Sequence, residues 1–591
     1  MAEITNLPID EITSQLDRLL SSSLFLQSQR QCRFLRYIVD EALAGNANRL
    51  KGYTIGIEVF DRDTSFDPNI DSIVRVEAGR LRSKLREYYL TEGINDAVLL
   101  ELPKGSYAPV FSRNKPDDTV TNNSDLKQEY TQNSVAVLPI RSLSDDPKLN
   151  YFSDGMTDAI ISTLAKNKSL KVISLTSVMQ FKNTQKSLKQ IADELNVSHI
   201  VEGTVFKDNN MIRIAAQLIN SKTDFHLWSE TFERELKDIL RLQKGIADTI
   251  AASLIEEMEP EQQDVSNNDI ISPEAYEEFL LGQRTRAQFT KDAFYKAAEH
   301  FKQAIDLEPE YAAAYSGMAS CYCGLGSHGL EFECPKDIIP QGLEYAQHAI
   351  ELDNILVDPH TYKGIMRLKY DWDWQSAEVC FKEALAISPN NARARMQYSM
   401  YFESLGQHEQ AISEAQEALR VDPLSKEVNM NLAWQYYQAD MYQEAKERLN
   451  RLLENEPDFW GAYWDLAHIY LAENDYDSAI QAFKKSDGSK GGYFMPLQGM
   501  GYAYAVNGKK TKALNVIKKL DELKKENYVS PYYYATIYMG LNDLENTFDY
   551  LQQAFEVRSR SLAWLNVAKE YIPLRNDERF KKLINKIGIP S

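Results

Sequence analysis

The stretch Asp71–Leu90, DSIVRVEAGRLRSKLREYYL, decides how the rest of the chain is read. Val74, Ala78, Leu81, Leu85 and Tyr88 recur at helical spacing, so one apolar face runs along it. Asp71 suits the N-cap, where its carboxylate accepts a first-turn backbone N–H. The opposite face carries Ser72, Arg75, Val76, Gly79, Ser83 and Arg86, with Arg82 at its margin. Between positions 75 and 86, five cations (Arg75, Arg80, Arg82, Lys84, Arg86) stand against one anion, Glu77. Such a rod fits a DNA major groove. Arginines reach guanine edges or phosphates, and Gly79 lets the backbone approach closely. A solvated basic face on an ordinary helix has the same composition, so the neighbouring sequence has to decide between them.

The next segment is AVLLELPKGSYAPVF, residues 97–111. Two β-rich runs, Val98–Leu102 and Tyr107–Phe111, flank Pro103-Lys104-Gly105-Ser106 and read as a hairpin. Helical patterns at 9–22 and 28–44, and a short one near Thr54–Phe60, come before. Tyr53, Ile57 and Phe60 are expected to pack beneath the basic helix, as a positioning helix does. Short helices, a basic helix and a hairpin make a small winged-helix domain over residues 1–112. Leu81-Arg82-Ser83-Lys84-Leu85 and Gly105-Ser106-Tyr107 resemble the OmpR/PhoB-type DNA-binding domain of bacterial regulators. That family opens with a small four-stranded sheet, whereas this chain opens with helical patterns. The resemblance implies double-stranded DNA as partner. Ser72, Arg75, Gly79, Arg82, Ser83, Arg86 and, on the hairpin, Lys104 are the DNA-facing candidates. One small head supplies few contacts, which favours two heads on tandem half-sites, a dimer on DNA.

The charge balance restricts where DNA could bind. Of the net −20 carried by 591 residues, positions 1–113 hold 14 Lys/Arg and 16 Asp/Glu, a net of −2. The remainder carries −18, so any nucleic-acid contact has to be local and oriented by the basic cluster. Five cysteines are sparse in a long chain, and Cys321, Cys323 and Cys334 lack the paired C-x-x-C spacing of structural zinc sites. No apolar run approaches the ~18 residues that a bilayer requires. The expectation is a protein of the reducing cytoplasm, with no membrane partner and no metal.

Residues 113–133 are polar and turn-rich and read as a linker. Strand and helix patterns alternate over 134–258 and then strands run consecutively, a mixed α/β domain. VAVLPI, YFSDGMTDAIISTLA, IVEGTV and IAAQLINSKTDFHLWSE resemble the TolB amino-terminal-like domain. That domain often lies between an output domain and tetratricopeptide repeats, including in some adenylate cyclases. No cyclase domain is legible here, so the catalytic part does not transfer. Asp145, Asp146, Asp154, His199, His226 and Glu230 are the groups that could do chemistry. None stands in a GxxxxGK[ST], GxSxG or HExxH setting, so no catalytic residue, no cofactor and no enzyme activity is expected.

Residues 259–273 form a second polar connector. Beyond it the chain repeats. Ala297, Phe301, Ala304 and Pro309 return as Ala377, Phe381, Ala384 and Pro389. They return again as Ala411, Ala415, Ala418 and Pro423, then as Ala445, Leu449, Leu452 and Pro457. The spacing matches the second half of the tetratricopeptide motif, so 274–591 reads as a C-terminal TPR α-solenoid of about eight repeats plus a capping helix. Such arrays take a protein or peptide on their concave face through first-helix residues. Tyr398, Asn431, Gln435 and Tyr463 are the partner-binding candidates here.

The chain therefore reads as multidomain and mainly α. It reads as a cytoplasmic DNA-binding transcriptional regulator whose α/β and repeat domains sense or bind a partner or effector. The near-neutral charge of residues 1–113 keeps an alternative open, a repeat adaptor or scaffold that binds no DNA.

Overall fold

The computed structural model describes residues 8–22, 25, 28–46, 49–60, 62, 66, 73–90, 92–93, 96–103, 107–113, 133–143, 147–208, 211–221, 223, 225–235, 239–254, 271–326, 331–486 and 494–590. It divides into two compact units, Met1–Lys127 and Gln128–Ser591. Most of both polar connectors, 114–132 and 255–270, lies outside the described residues.

The first unit contains α1 (Ile9–Ser21), α2 (Gln29–Leu43), α3 (Gly52–Glu58) and α4 (Ile73–Leu90), then strands β1 (Val98–Glu101) and β2 (Val110–Arg113). α4 follows the predicted periodicity. Val74, Ala78, Leu81, Leu85 and Tyr88 are buried in one cluster with Leu16, Leu19, Leu35, Ile38 and Phe111. β1 and β2 are antiparallel, registered from Val98↔Arg113 to Glu101↔Val110. The second strand thus begins at Val110 rather than Tyr107. Pro109 lacks an N–H and cannot donate to a ladder, which delays the strand. The phase of α3 also differs from expectation. Ile55 and Val59 face the core, with Phe60 beside them, while Tyr53 is exposed.

The second unit begins with a six-stranded mixed sheet. Its strands are β3 (Ser134–Val137), β4 (Arg141–Ser142), β5 (Lys171–Val172), β6 (His199–Asp208), β7 (Met211–Asn220) and β8 (Phe225–Glu235). The order is β5-β3-β6-β7-β8, with β4 paired to β6. β3 runs parallel to β5 and β6, and β6, β7 and β8 form an antiparallel meander. β8 is the rim strand, and its Phe225 and Leu227 are exposed.

Four helices pack with the sheet: α5 (Pro147–Leu164), α6 (Leu175–Met179), α7 (Leu188–Leu195) and α8 (Ile239–Leu254). Asp154, one of the groups considered for chemistry, lies inside α5 and pairs with Lys182 Nζ at 2.6 Å. A capping box, Ser187 with Gln190, starts α7.

Eight helix pairs come next among the described residues. They are Pro273–Arg286 with Lys291–Leu307, Ala312–Gly326 with Pro335–Leu352, Val357–Met366 with Trp374–Ile387, and Ala392–Ser404 with His408–Val421. Then come Lys426–Gln438 with Tyr442–Asn455, Trp460–Ala472 with Tyr476–Lys485, Met495–Val506 with Lys510–Leu523, and Pro531–Gly540 with Leu544–Glu556. Two 3-10 turns, Arg560–Trp564 and Lys569–Leu574, lead to a last helix, Glu578–Ile587. The predicted Ala and Phe positions sit on second helices and are fully buried, among them Ala297, Phe301, Ala377, Phe381, Ala411 and Ala445.

Sheet and array share one core. Met156, Ile160, Ile246 and Ile250 cluster with Ala275, Tyr276, Leu280 and Tyr311 of the first repeats. Gly155 makes the contact close: a Cβ there would meet Leu280 Cδ2 at 2.3 Å. Polar bonds continue the joint farther along. Ser174 N–H donates to Val421 O at 3.0 Å, Ser177 Oγ to Asp422 at 2.6 Å, and Asn390 to Leu170 O at 2.6 Å.

The repeat spacing generates a stability test. Phe301 fills space beside Gly282 and Gly317, where a Cβ would lie 2.6 Å from its ring. Phe301→Ala should destabilise the second unit by about 3–5 kcal/mol, read as a lower calorimetric melting temperature.

Candidate nucleic-acid interface and first-helix face of the array

The basic helix α4 is fixed from three sides. Its apolar row is buried in the core of the first unit. Glu77, its lone anion among the central cations, is buried and accepts from Gln31 of α2. Near its end, Tyr88 donates to Asp96 at 2.6 Å, and Asp96 also takes Gln15 at 2.6 Å and Arg18 at 3.3 Å. Burial and the Asp96 carboxylate hold the Tyr88 phenol above its ordinary pKa. Tyr89 accepts the Leu100 N–H at 2.9 Å and so ties α4 to β1.

Arg82 makes a second tie. Its Nε donates to Leu102 O at 2.9 Å and its Nη2 to Pro103 O at 3.1 Å. Half-burial lowers its pKa. Arg82 therefore positions the hairpin against the helix, a role that sequence reasoning assigns to no residue. Lys84 lies 5.8 Å from the Phe25 ring centroid. The side chains of Arg75, Gly79, Ser83 and Arg86, and all of Ser72 and Lys104, lie outside the described residues.

The four partner candidates separate. Tyr398 is buried, its ring 4.4 Å from Phe402 and its hydroxyl donating to Glu378. Asn431 accepts from Ser399 at 2.9 Å. Gln435, 1% exposed, donates to Glu403 at 3.2 Å. Tyr463 is the more accessible one and donates to Pro457 O at 2.9 Å. Glu403 also takes Trp434 at 2.8 Å and Gln438 at 3.1 Å. Burial raises its pKa, against those hydrogen bonds and nearby Lys369. Lys369 in turn is pushed down to about 8 by burial.

The cover over these groups is a segment near the chain's own end. Leu562, Ala563, Leu565 and Tyr571 join one cluster with Tyr362, Tyr398 and Tyr401. Ser559 Oγ and Arg560 N–H donate to Glu331 Oε1 at 2.9 and 2.8 Å. Lys369 lies 5.8 Å from the Trp564 ring centroid, and His468 lies 3.8 Å from Glu570. One short segment that touches repeats from Glu331 to His468 requires the array to curl around it. The signal was present in SLAWLNVAKEYIPL, which is too apolar for an exposed connector.

The groups considered for chemistry do not converge. His199 is packed beside Ser198, while His226 and Glu230 are exposed on β8. Asp145 and Asp146 lie outside the described residues. Among the described residues no three His, Cys, Asp or Glu side chains cluster as a metal site, and no helix is long and apolar enough to cross a membrane.

Comparison with known proteins adds two families. Residues 131–249 match the family described as HilA/YgeH-like transcriptional regulator, second domain. Residues 402–469 and 436–490 match a tetratricopeptide repeat family. Putative adenylate cyclase 3 of Rhizobium meliloti is 31% identical over 221 residues, covering 37% of this chain and 38% of that protein. Transcriptional regulator HilA of Salmonella typhimurium is 22% identical over 310 residues, covering 52% of this chain and 54% of that protein. The match thus spans well under two thirds of either relative. The crystal structure of yeast Tom70 is 17% identical, covers 59% of this chain and 77% of that chain, and gives a TM-score of 0.35.

Removing the Arg82 tie has a defined cost. Arg82→Ala should destabilise the first unit by about 1–3 kcal/mol, because two carbonyl acceptors lose a charged donor. Thermal melting of the first-unit transition checks it, and Arg82→Lys should recover only part, since Lys has no fork.

Proposed function

We propose that this chain is a DNA-binding transcriptional regulator with a winged-helix head, a TolB-like middle domain and a repeat array that takes a protein or peptide partner. The similarity of 131–249 to a transcriptional regulator domain supports regulation, and the repeats support protein interaction. The observation that carries the DNA part is the division of α4. Its apolar row and its anion Glu77 are consumed by the core, and the hairpin is tied to it through Arg82 and Tyr89. By sequence spacing Arg75, Gly79, Ser83 and Arg86 stand opposite that apolar row, and these, with Ser72 and Lys104, are the residues proposed to meet DNA. Arg82 serves this surface as a positioning residue. Two copies on tandem half-sites would supply the contacts that one small head lacks.

Fluorescence anisotropy of mixed duplex DNA titrated with the full chain tests the reading. With about four phosphate contacts, affinity should fall ~100-fold between 50 and 200 mM salt. Arg75→Ala and Arg86→Ala should each weaken binding about 5- to 10-fold and leave the melting curve unchanged. No retention at low salt would overturn the DNA reading and leave the repeat adaptor in its place.

A further inference from the structure

The segment that fills the array is held by two cation cages. Arg558, in the left-handed region at φ 59°, sets its guanidinium 4.5 Å from the Trp372 ring centroid and 5.9 Å from Tyr370. It also donates to Tyr370 O and Asp371 O, each at 3.4 Å. Lys569 sets its ammonium 4.6 Å from the Tyr437 centroid and 5.1 Å from Tyr442. It donates to Tyr437 O at 3.0 Å, to Tyr442 Oη at 3.3 Å and to the Asp440 carboxylate. Both cages are built at the same place in their repeats, the turn after a first helix. Trp372 and Asp440 are the left-handed residues of those turns, at φ 56° and 61°. Between the cations, Leu562, Ala563 and Leu565 supply the apolar contact.

The face beneath is not built like a core. It presents Lys369, Gln397, Glu403, Gln435, Asp465 and His468, all buried. Gln435 Oε1 and Asp465 Oδ2 have no hydrogen-bond partner among the described residues. Burying a row of polar and charged groups is costly unless each is paired. The segment itself is two isolated 3-10 turns, which hold little local cooperativity. It also leaves a cavity of about 710 Å³ between Lys569, Glu570 and Arg575 on one side and Tyr442, Tyr476 and Tyr502 on the other.

We infer that the first-helix face of the array is a receptor for a basic, apolar peptide segment, and that residues 558–571 are its resident ligand. A partner segment of the same chemistry, with two cations about eleven positions apart and leucines between them, takes the face by displacing it. Each cage offers a cation two aromatic rings, the first with two backbone carbonyls and the second with one carbonyl and a carboxylate, which is specific recognition of Lys or Arg. The inference rests on the reading of the array as a partner-binding module and is independent of DNA binding by the head.

The test uses the full chain and a fluorescein-labelled synthetic peptide of residues 556–575. In anisotropy titrations the wild-type chain should bind the peptide weakly, because its own copy competes. The Arg558→Ala/Lys569→Ala chain should bind it at least tenfold more tightly. Adding Asp440→Ala should remove most of that gain, and a peptide with both cations replaced by alanine should lose it too. Equal binding by the wild-type and double-variant chains overturns the inference, as does indifference to the peptide's cations. If circular dichroism shows the double variant unfolded, hydrogen exchange on the wild-type chain decides instead. Amides of 560–574 should then exchange at least tenfold faster than those of Trp460–Ala472, and equal rates overturn the inference. The DNA titration of the same preparations reports on the head separately, so the two failures are distinguishable.

Discussion

A helix pair with one apolar face is unfinished until something covers that face, and this constraint shapes the whole second unit. Each repeat covers the one before it, with Ala297 and Phe301 or their equivalents at the joint. The first pair has no preceding repeat. The sheet domain takes that place, through Met156 and Ile160 of α5 and Ile246 and Ile250 of α8. At the other end Phe580, Leu583 and Ile587 of the last helix close the stack. The middle domain is therefore a cap as well as a domain. A change at its sheet can reach the array directly through the core they share.

The interior of the array obeys a different logic. Second helices meet through alanine and phenylalanine, where close approach is the requirement. First helices present Glu403, Gln435, Asp465 and His468, groups suited to water or to a polar partner. Burial raises the pKa of Glu403 and lowers those of Lys369 and His468. Glu403 is tolerable there because Trp434, Gln435 and Gln438 all donate to it.

Local periodicity makes the elements legible. The apolar row of α4, the alternation of the sheet and the Ala-Phe-Ala spacing each announce a face, and each face is buried. What the sequence does not reveal shares a cause. Tyr53 reads as a core residue but is exposed, because a single residue of error in the phase of one short helix turns the face. Arg82 is read from the sequence as DNA-facing, and its ties to Leu102 O and Pro103 O go to backbone atoms that no composition reveals. Tyr398 is read as part of a ligand surface, and the segment that packs with it is more than a hundred residues away in sequence. Long-range contacts of that kind carry no periodic trace. The hint is an apolar stretch, 561–574, where a connector should be polar.

The rim strand β8 has its own consequence. Among the described residues it is the last strand of the sheet, so its outer backbone groups have no neighbouring strand. Phe225 and Leu227 are exposed at one end of it, which makes it a template for edge-to-edge pairing with a second copy. Glu230, Glu233 and Glu235 stand exposed along the same strand against one cation, Arg234, with Glu233 paired to Arg213 at 3.0 Å, so the strand keeps a net negative charge. The acidity of this chain is thus not idle decoration at that border. It works as an electrostatic fence against self-association, and added salt would screen it.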